Sequence, residues 1–255
     1  RSLIKAAELG KQVVALIELT ARFDEAVNVT WAKELERAGV HVVYGVVGLK
    51  THCKCVLVVR QEESGLRRYV HVGTGNYNSK TARIYEDIGL FTCNEKIGDD
   101  VSHLFNSLTG FDKDHDFNSL IVAPRYLRSK IAELIKNEIS HGKDGHIVMK
   151  INGLADARMI ELLYQASEAG VRIELIVRGI CCIRPSSDHE QNIRIRSVLG
   201  RYLEHSRMYH FAHGGPDNGP VYFIGSADMM PRNLDKRVEV LIPVEHPKHR
   251  AWIEE

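Results

Sequence analysis

One short pattern occurs twice in this chain, and its repetition constrains the fold more than any other feature. The sequence reads LKTHCK at 49–54 and LEHSR at 203–207, so that each time a histidine is followed two positions later by a cation. About twenty positions after each histidine comes a turn of small residues, GTGN at 73–76 and GSAD at 225–228. Two matched copies with matched spacing predict two similar halves that together handle a phosphate group.

The repeat extends beyond these motifs. LIKAAELGKQVVALIE at 3–18 aligns with LLYQASEAGVRIELIVR at 162–178, which places Gly10 on Gly170. The order of predicted helix, strand, helix, strand and turn recurs in both halves. A chance match between two generic α/β units is the alternative, but the histidines and glycines match together with the apolar pattern. Two copies are too few for a solenoid.

We therefore predict two domains and an α/β fold. A charged break, KDHDFN at 113–118, suggests domains at 1–115 and 116–255. Strands that alternate with helices predict a mixed, largely parallel sheet flanked by helices in each domain. Arg1 opens inside a helical pattern, so we expect the first domain to be truncated at its N-terminus.

Composition excludes some classes of function. The 34 basic and 33 acidic residues nearly balance, which argues against a general nucleic-acid-binding protein. No apolar run is long enough for a membrane span, and the first residues lack the pattern of a signal peptide. Five cysteines are predicted to be buried free thiols, which fits a reducing cytoplasm, and peripheral membrane association stays open.

Two segments of the first half have residue patterns that predict a strand and a helix. The apolar run QVVALIEL at 12–19 predicts a buried, parallel strand. The periodicity of residues 25–39 predicts a helix on which Trp31, Leu35 and Ala38 share one face.

The paired histidines and cations point to phosphate chemistry. Alternate side chains of a strand share a face, so His52 should point with Lys54, and His205 with Arg207. The cation neutralises phosphoryl oxygens, and the imidazole can attack phosphorus or donate a proton. Two such groups on opposite sides of one phosphorus would suit in-line displacement. The alternative is a pair of structural histidines that are hydrogen-bonded in a core.

Glycine turns and arginines extend this hypothesis. Glycines allow backbone N–H groups to approach anions, and Asn76 or Asp228 could orient the histidine of its own half. Arg178 ends one predicted buried strand and Arg22 follows another, at the positions where α/β folds bind ligands. Arginine binds phosphate oxygens bidentately, so these residues suit a long polyanion.

Four longer segments carry a more specific signal: ELTARFDEAVNVTWAKELERAGVHVVYGVVGLKTHCK, RRYVHVGTGNYNSKTARIYEDIGL, LIVRGICCIRP and RYLEHSRMYHF. In these segments the chain resembles the catalytic C-terminal half of one family, the bacterial polyphosphate kinases. The resemblance implies two domains with a phospholipase D-like fold. It also implies reversible transfer of the terminal phosphate of ATP to polyphosphate through a phosphohistidine. N-terminal and head domains would complete the enzyme, so we expect weak or no activity from this chain alone.

The resemblance also implies residue roles. His52 matches the histidine that is phosphorylated, and His205 matches a second essential histidine that contacts nucleotide phosphate and serves as the acid. Tyr85 and Arg178 match nucleotide-binding positions, and Arg22 matches a position at the magnesium site. Arginine has no lone pair for a metal, so Arg22 would hold the phosphate that holds Mg²⁺. ATP or ADP and polyphosphate are the implied ligands, and a homo-oligomer is compatible with the family.

Two rival functions remain open at this stage. A phospholipase D-type phosphodiesterase or nuclease would share the fold, but such hydrolases carry an aspartate five positions after the lysine. Val59 and Ala212 occupy those places here, and Arg207 replaces the second lysine. The other rival is a polyanion-binding module without turnover, for which two positioned histidines would be unnecessary.

Overall fold

A computed structural model describes residues 1–19, 25–110, 116–184 and 192–255 of the chain. The chain divides into two compact units, one formed by 1–52 with 102–116 and the other by 53–101 with 117–255. The helices of the described residues are α1 Ser2–Glu8, α2 Glu25–Arg37, α3 Glu95–Leu108, α4 Leu127–His141, α5 Ala157–Glu168, α6 Pro231–Asp235 and α7 Pro247–Glu254. The strands are β1 Val14–Leu16, β2 His41–Val43, β3 Lys50–Thr51, β4 Lys54–Glu62, β5 Gly65–Gly73, β6 Tyr85–Glu86, β7 Gly89–Thr92, β8 Ile121–Val122, β9 His146–Ile151, β10 Arg172–Val177, β11 Ile193–Arg196, β12 Leu203–Glu204, β13 Met208–Phe211, β14 Val221–Gly225, β15 Arg237–Val238 and β16 Val240–Pro243.

The first unit contains a parallel pair of strands. β1 pairs with β2 in parallel, with Val14 opposite His41, and α2 connects the two strands. The predicted strand at 12–19 is therefore parallel, but it is shorter than predicted and is not buried, because β1 belongs to a sheet of only two strands. Arg22, which is predicted to lie at the magnesium site, is outside the described residues.

Helix α2 lies within the predicted range 25–39. Ala32 and Leu35 are buried, at 0% and 8% exposure, whereas Trp31 is 43% exposed and Ala38 is half-buried. The burial pattern indicates that the apolar stripe of the helix centres on small Ala32 rather than on the large indole one position earlier.

The second unit is built on a seven-stranded sheet of order β11-β10-β9-β13-β14-β16-β8. Only the β11-β10 and β10-β9 pairs are parallel, and the other four pairs are antiparallel. The sheet is mixed, as predicted, but it is not largely parallel. The reason lies in the connections: α5 crosses over between β9 and β10, whereas the short segment 212–220 returns the chain directly from β13 to β14.

Helices α4 and α5 pack against this sheet and enclose the main core. Its side chains come from both helices and from the central strands, and the fully buried members include Leu127, Ile131, Ile135, Ile147, Met149, Leu163, Tyr209 and Phe211. Each buried aliphatic or aromatic side chain contributes about 1.5–3 kcal/mol. This core gives a rigid support to the segment that follows β12.

The internal duplication is confirmed by strand pairing within this unit. β4, β5 and β7 form an antiparallel sheet that corresponds to β13, β14 and β16. Gly73 lies opposite Gly89 in the first copy, and Gly225 lies opposite Leu241 in the second, with the same displacement along the chain. The two copies differ in how deeply their strands are buried. Val58 on β4 is 47% exposed, whereas its counterpart Phe211 on β13 is 0% exposed.

The five cysteines are free thiols, as predicted, but they are not buried. Cys53, Cys55 and Cys181 are half-buried, and Cys93 and Cys182 are exposed. Strand β4, which carries Cys55, is the edge strand of its sheet, so its side chains are incompletely covered. Among the described residues, no helix has the length and apolar character needed to cross a membrane.

Candidate active site

The backbone around His205 is fixed by hydrogen bonds from two directions. The N–H groups of His205 and Ser206 both donate to the carbonyl oxygen of Glu86, at 3.1 and 3.0 Å. The amide Nδ2 of Asn152, at the end of β9, donates to the carbonyl oxygen of His205 at 3.1 Å. His205 is 9% exposed, and it lies between β12 and β13 rather than within a strand.

The side chain of His205 forms a dyad with Asp87. His205 Nδ1 lies 2.8 Å from Asp87 Oδ1, which also accepts a hydrogen bond from Thr74 Oγ1 at 2.7 Å. Asp87 directly follows β6, and β6 pairs in parallel with β12, so the two residues meet although they are 118 positions apart. Sequence reasoning missed Asp87. The available signal was the acidic pair Glu86-Asp87 next to Tyr85.

The surroundings set the charge states of this dyad. Burial lowers the pKa of His205, and the charge of Arg207 lowers it further, although the hydrogen bond to Asp87 opposes both effects. Burial alone would raise the pKa of Asp87, but hydrogen bonds from His205 and Thr74 keep that pKa below its ordinary value. An ionised carboxylate can only accept, so His205 donates through Nδ1 and keeps the Nε2 lone pair. Nε2 can therefore take up a proton or attack an electrophile.

The GTGN turn positions Asp87. A Cβ built on Gly75 would lie 2.1 Å from Asp87 Oδ2, so the carboxylate occupies space that only glycine leaves open. Thr74 N donates to Ile88 O at 2.9 Å, and Ile88 N donates to Thr74 Oγ1 at 2.9 Å. Asn76 is exposed, and its backbone oxygen accepts from Asn78 N at 2.7 Å.

The GSAD turn repeats this arrangement in the second copy. Ser226 Oγ donates to Glu239 Oε2, and Val240 N donates to Ser226 Oγ at 3.2 Å. In each copy a hydroxyl side chain thus binds an acid 13 positions later. Glu239 also accepts from Asn233 Nδ2 at 2.7 Å and is fully buried.

Asp228 has a different neighbour from the predicted one. Its carboxylate accepts from Arg207 Nε and Nη2, both at 3.2 Å, and from the backbone N–H of Asn152 at 2.8 Å. The prediction that Asp228 orients His205 is wrong. Asp87 occupies that position because β6 enters the site beside β12.

The two motif cations lie close together. Arg207 is 3% exposed, and its Nη1 donates to the carbonyl oxygen of His205 at 2.8 Å and lies 3.2 Å from His205 Nε2. Lys54 is 6% exposed. Burial lowers the pKa of Lys54 to about 8. The charge of nearby Arg207 lowers this pKa further, whereas the charge of Glu239 raises it. Two buried cations beside an imidazole make a site suited to anionic oxygens.

The residues predicted to bind nucleotide also lie near His205. The ring centroid of Tyr85 is 4.9 Å from that of His205, with an angle of 51° between the planes. Arg178 Nη1 donates to the carbonyl oxygen of Glu204 at 2.8 Å. The structure therefore brings Tyr85, Arg178, Lys54 and Arg207 to the neighbourhood of one histidine.

His52 belongs to the first compact unit, where it follows β3 and is half-buried. The convergence of His52 and His205 on one phosphorus stays a prediction. Within the described parts of the chain, no group of three or more histidine, cysteine or acidic side chains has the geometry to hold a metal ion.

The fold and site define an α/β protein that contains two copies of one strand pattern and a buried histidine paired with an aspartate. Two family models together cover most of the chain: polyphosphate kinase C-terminal domain 1 matches residues 1–114, and polyphosphate kinase C-terminal domain 2 matches residues 120–255. The chain belongs to the polyphosphate kinase family.

Individual relatives agree with this assignment. The polyphosphate kinase of Prochlorococcus marinus strain MIT 9313 is 55% identical over 257 residues, covering 99% of this chain and 36% of the relative. That of Mycobacterium avium strain 104 is 56% identical over 259 residues, covering 100% of this chain and 35% of the relative. This chain thus spans about a third of the length of these relatives.

Solved structures support the fold. The crystal structure of polyphosphate kinase from Porphyromonas gingivalis is 41% identical with a TM-score of 0.88, over 99% of this chain and 39% of that chain. A variant of yeast tyrosyl-DNA phosphodiesterase is 8% identical with a TM-score of 0.57, over 91% of this chain and 76% of that chain. At such low identity the second match shows a shared fold alone. The predicted α/β class is confirmed.

Proposed function

We propose that this chain is the catalytic part of a longer enzyme that transfers the terminal phosphate of ATP reversibly to polyphosphate through a phosphohistidine. Membership of the polyphosphate kinase family supports the reaction. The observation that carries the proposal is the His205 site, where a buried imidazole is oriented by Asp87 and flanked by Arg207. Such a site can exchange a proton with a phosphate oxygen while cations neutralise its charge.

In the proposed reaction, His52 attacks the terminal phosphorus of ATP. A phosphorus–nitrogen bond forms as the bond between that phosphorus and the bridging oxygen breaks, and ADP leaves. His205, in its protonated form, gives a proton to the departing oxygen. The terminal oxygen of polyphosphate then attacks the phosphohistidine, the phosphorus–nitrogen bond breaks, and His52 is regenerated. Asp87 stabilises the imidazolium form of His205.

The neighbouring residues would bind the substrates. Lys54 and Arg207 would neutralise phosphoryl oxygens, and Asp228 would hold the guanidinium of Arg207 in position. Tyr85 and Arg178 would contact the nucleotide. We propose that Asn76, which is exposed at the end of the GTGN turn, binds a phosphate oxygen of the substrate.

Magnesium enters this proposal only with the substrate. The described residues do not fit a site in which the protein itself ligates the ion, because no suitable cluster of acidic, histidine or cysteine side chains occurs among them. Mg²⁺ commonly binds to substrate phosphates and keeps several waters. We propose that Mg²⁺ is bound to ATP, and that Arg22 contacts the phosphate that holds it.

The proposal extends to domain organisation and cellular context. We propose catalytic domains at 1–115 and 116–255 that work with N-terminal and head domains of a longer cytoplasmic enzyme. This chain alone would then turn over ATP weakly or not at all, and labelled-ATP turnover by the chain and by the longer enzyme would measure the difference. Equal rates would contradict this part of the proposal.

The test of the reaction is covalent labelling by ATP that carries a radioactive terminal phosphate, in the longer enzyme. We expect acid-labile, base-stable label on the protein, as phosphohistidine gives, and its loss in His52→Ala. His249→Ala, which changes an exposed histidine, is the matched control and should label normally. Undiminished labelling of His52→Ala would contradict the nucleophile assignment. Tight polyphosphate binding without any labelled protein would favour the non-catalytic polyanion-binding module.

A further inference from the structure

Lys150 lies next to the site and has no role in the reaction described above. It is on β9, two positions before Asn152, and its side chain is 13% exposed. Its ammonium group contacts two carboxylates, Glu86 Oε2 at 2.9 Å and Glu204 Oε2 at 2.7 Å, and it also contacts Ser206 Oγ. A single half-buried cation therefore binds three acceptors that come from both repeats.

The two carboxylates belong to the strands that carry the ligand-binding side chains. β6 and β12 pair in parallel, with Glu86 opposite Glu204, over only two residues of each strand. Tyr85 precedes Glu86, and His205 follows Glu204, so the Tyr85–His205 ring contact depends on this short pair of strands. Ser206 Oγ also donates to Glu86 Oε2, at 2.6 Å.

We infer that Lys150 is a positioning residue that holds Tyr85 against His205 by neutralising Glu86 and Glu204 between the two strands. Like charges directly opposite one another destabilise paired strands, and two short strands offer few hydrogen bonds to resist the repulsion. Without the ammonium group the two half-buried carboxylates, with side chains 35% and 20% exposed, would face each other with no cation between them, and partial burial strengthens their repulsion relative to that in water.

The ionisation of Glu86 agrees with this inference. Burial alone would raise the pKa of Glu86, but hydrogen bonds from Ser206 and Lys150 keep it below its ordinary value. The carboxylate is therefore charged at neutral pH, and Lys150 is the cation that balances it. Arg178, which also lies at this cleft, binds the backbone oxygen of Glu204 and not its carboxylate.

The first test is spectroscopic and does not depend on activity. In protein with labelled tyrosine and histidine, we expect a nuclear Overhauser effect between the Tyr85 and His205 rings, because their centroids are 4.9 Å apart. Lys150→Met should abolish it, Lys150→Arg should keep it, and Lys150→Met with Glu204→Gln should restore it. A folded Lys150→Met protein with the contact intact would overturn the inference. Should Lys150→Met fail to fold, the double variant decides: an intact contact supports the charge role, and its absence overturns it.

Lys130→Met is the matched control, because Lys130 forms an exposed ion pair with Glu133 and lies on a helix surface. It should leave the Tyr85–His205 contact unchanged, because exposed pairs contribute little. If Lys130→Met also loses the contact between Tyr85 and His205, the effect follows from removing any lysine, and the specific role of Lys150 is overturned.

The catalytic consequence rests on the proposed function and is measured separately. In the longer enzyme, Lys150→Met should raise the KM for ATP by about tenfold, because it leaves two half-buried carboxylates without the cation that holds their strands together. The double variant should recover most of that loss. If the ring contact is lost but KM and kcat stay unchanged, positioning by Lys150 stands and the proposed nucleotide role of Tyr85 fails. If the ring contact survives, the inference about Lys150 fails whatever the kinetics.

Discussion

The carboxylate of Asp87 accepts the Nδ1–H of His205 at 2.8 Å, across 118 positions of the sequence. This bond joins a segment that follows the first repeat's turn to the second repeat's histidine. It fixes both the orientation and the tautomer of the imidazole, so that Nε2 carries the lone pair and lies 3.2 Å from Nη1 of Arg207, which can only donate. The chemistry of His205 therefore depends on an acid from the other repeat.

In the longer enzyme of the proposed function, Asp87→Asn should impair phosphoryl transfer far more than folding. The amide cannot stabilise an imidazolium as a carboxylate does, and it allows the other tautomer of His205, so we expect kcat to fall by about 10²–10⁴-fold. Because Asp87 raises the pKa of His205, its loss should shift the titration of His205 to lower pH. Steady-state kinetics and NMR titration of the imidazole measure the two effects.

The matched control is Asp99→Asn, which changes an exposed acid that lies 3.5 Å from Arg68. It should retain normal kcat. An Asp87→Asn enzyme with normal kcat and an unshifted His205 titration would refute the dyad.

Gly75→Ala should displace the Asp87 carboxylate. The new Cβ would lie 2.1 Å from Oδ2, and the carboxylate is held on its other side by Thr74 and His205. We expect a loss of about 1–3 kcal/mol in the free energy of unfolding, as in other overpacked sites, together with reduced kcat. Chemical denaturation checks the first effect. Gly200→Ala is the control, since a Cβ there meets nothing closer than 4.0 Å, and equal effects at both positions would contradict the argument.

Polyphosphate binding should weaken as the pH rises through 8. Lys54 has a pKa lowered to about 8 by burial, so it loses its charge between pH 7 and 9. Since the charged form binds the anion, the Kd should increase by about tenfold between pH 7 and 9. Lys54→Arg keeps its charge throughout and should abolish the increase, whereas Lys143→Arg, at an exposed position, should not. Titration calorimetry across this range is the measurement, and an identical rise in Lys54→Arg would exclude Lys54 as its source.

His210 should make the protein less stable in acid. Burial lowers its pKa from 6.5 to about 4, with nearby His146 adding to the effect, and its Nδ1 has no hydrogen-bond partner among the described residues. A folded-state pKa below the unfolded value means that the unfolded state binds more protons, so stability falls as the pH drops from 6.5 towards 4. His210→Phe should remove about 1 kcal/mol of this loss at pH 5, after discounting for partial exposure.

Urea denaturation at pH 8 and pH 5 tests this prediction. His249→Phe, at an exposed position, is the control and should leave the acid sensitivity unchanged. The idea fails if the His210→Phe protein loses as much stability between the two pH values as the unmodified protein.

Sequence reasoning was most successful where a local pattern carries the information. Helix α2 spans Glu25–Arg37, within the predicted range 25–39, because helical periodicity is a local signal. The short strands β6 and β12 were not predicted. Two residues carry no recognisable period, and these strands exist because distant segments meet.

The amino-acid sequence by itself determined the duplication, the motif cations and the family, because these depend on the order and spacing of residues along the chain. Tertiary structure alone decided which acid orients His205. The sequence favoured Asp228, the nearer acid in its own repeat, but the pairing of β6 with β12 brings Asp87 to the imidazole and leaves Asp228 to Arg207. A hydrogen bond depends on distance in space, and the partner of a buried imidazole is therefore set by how the strands pair.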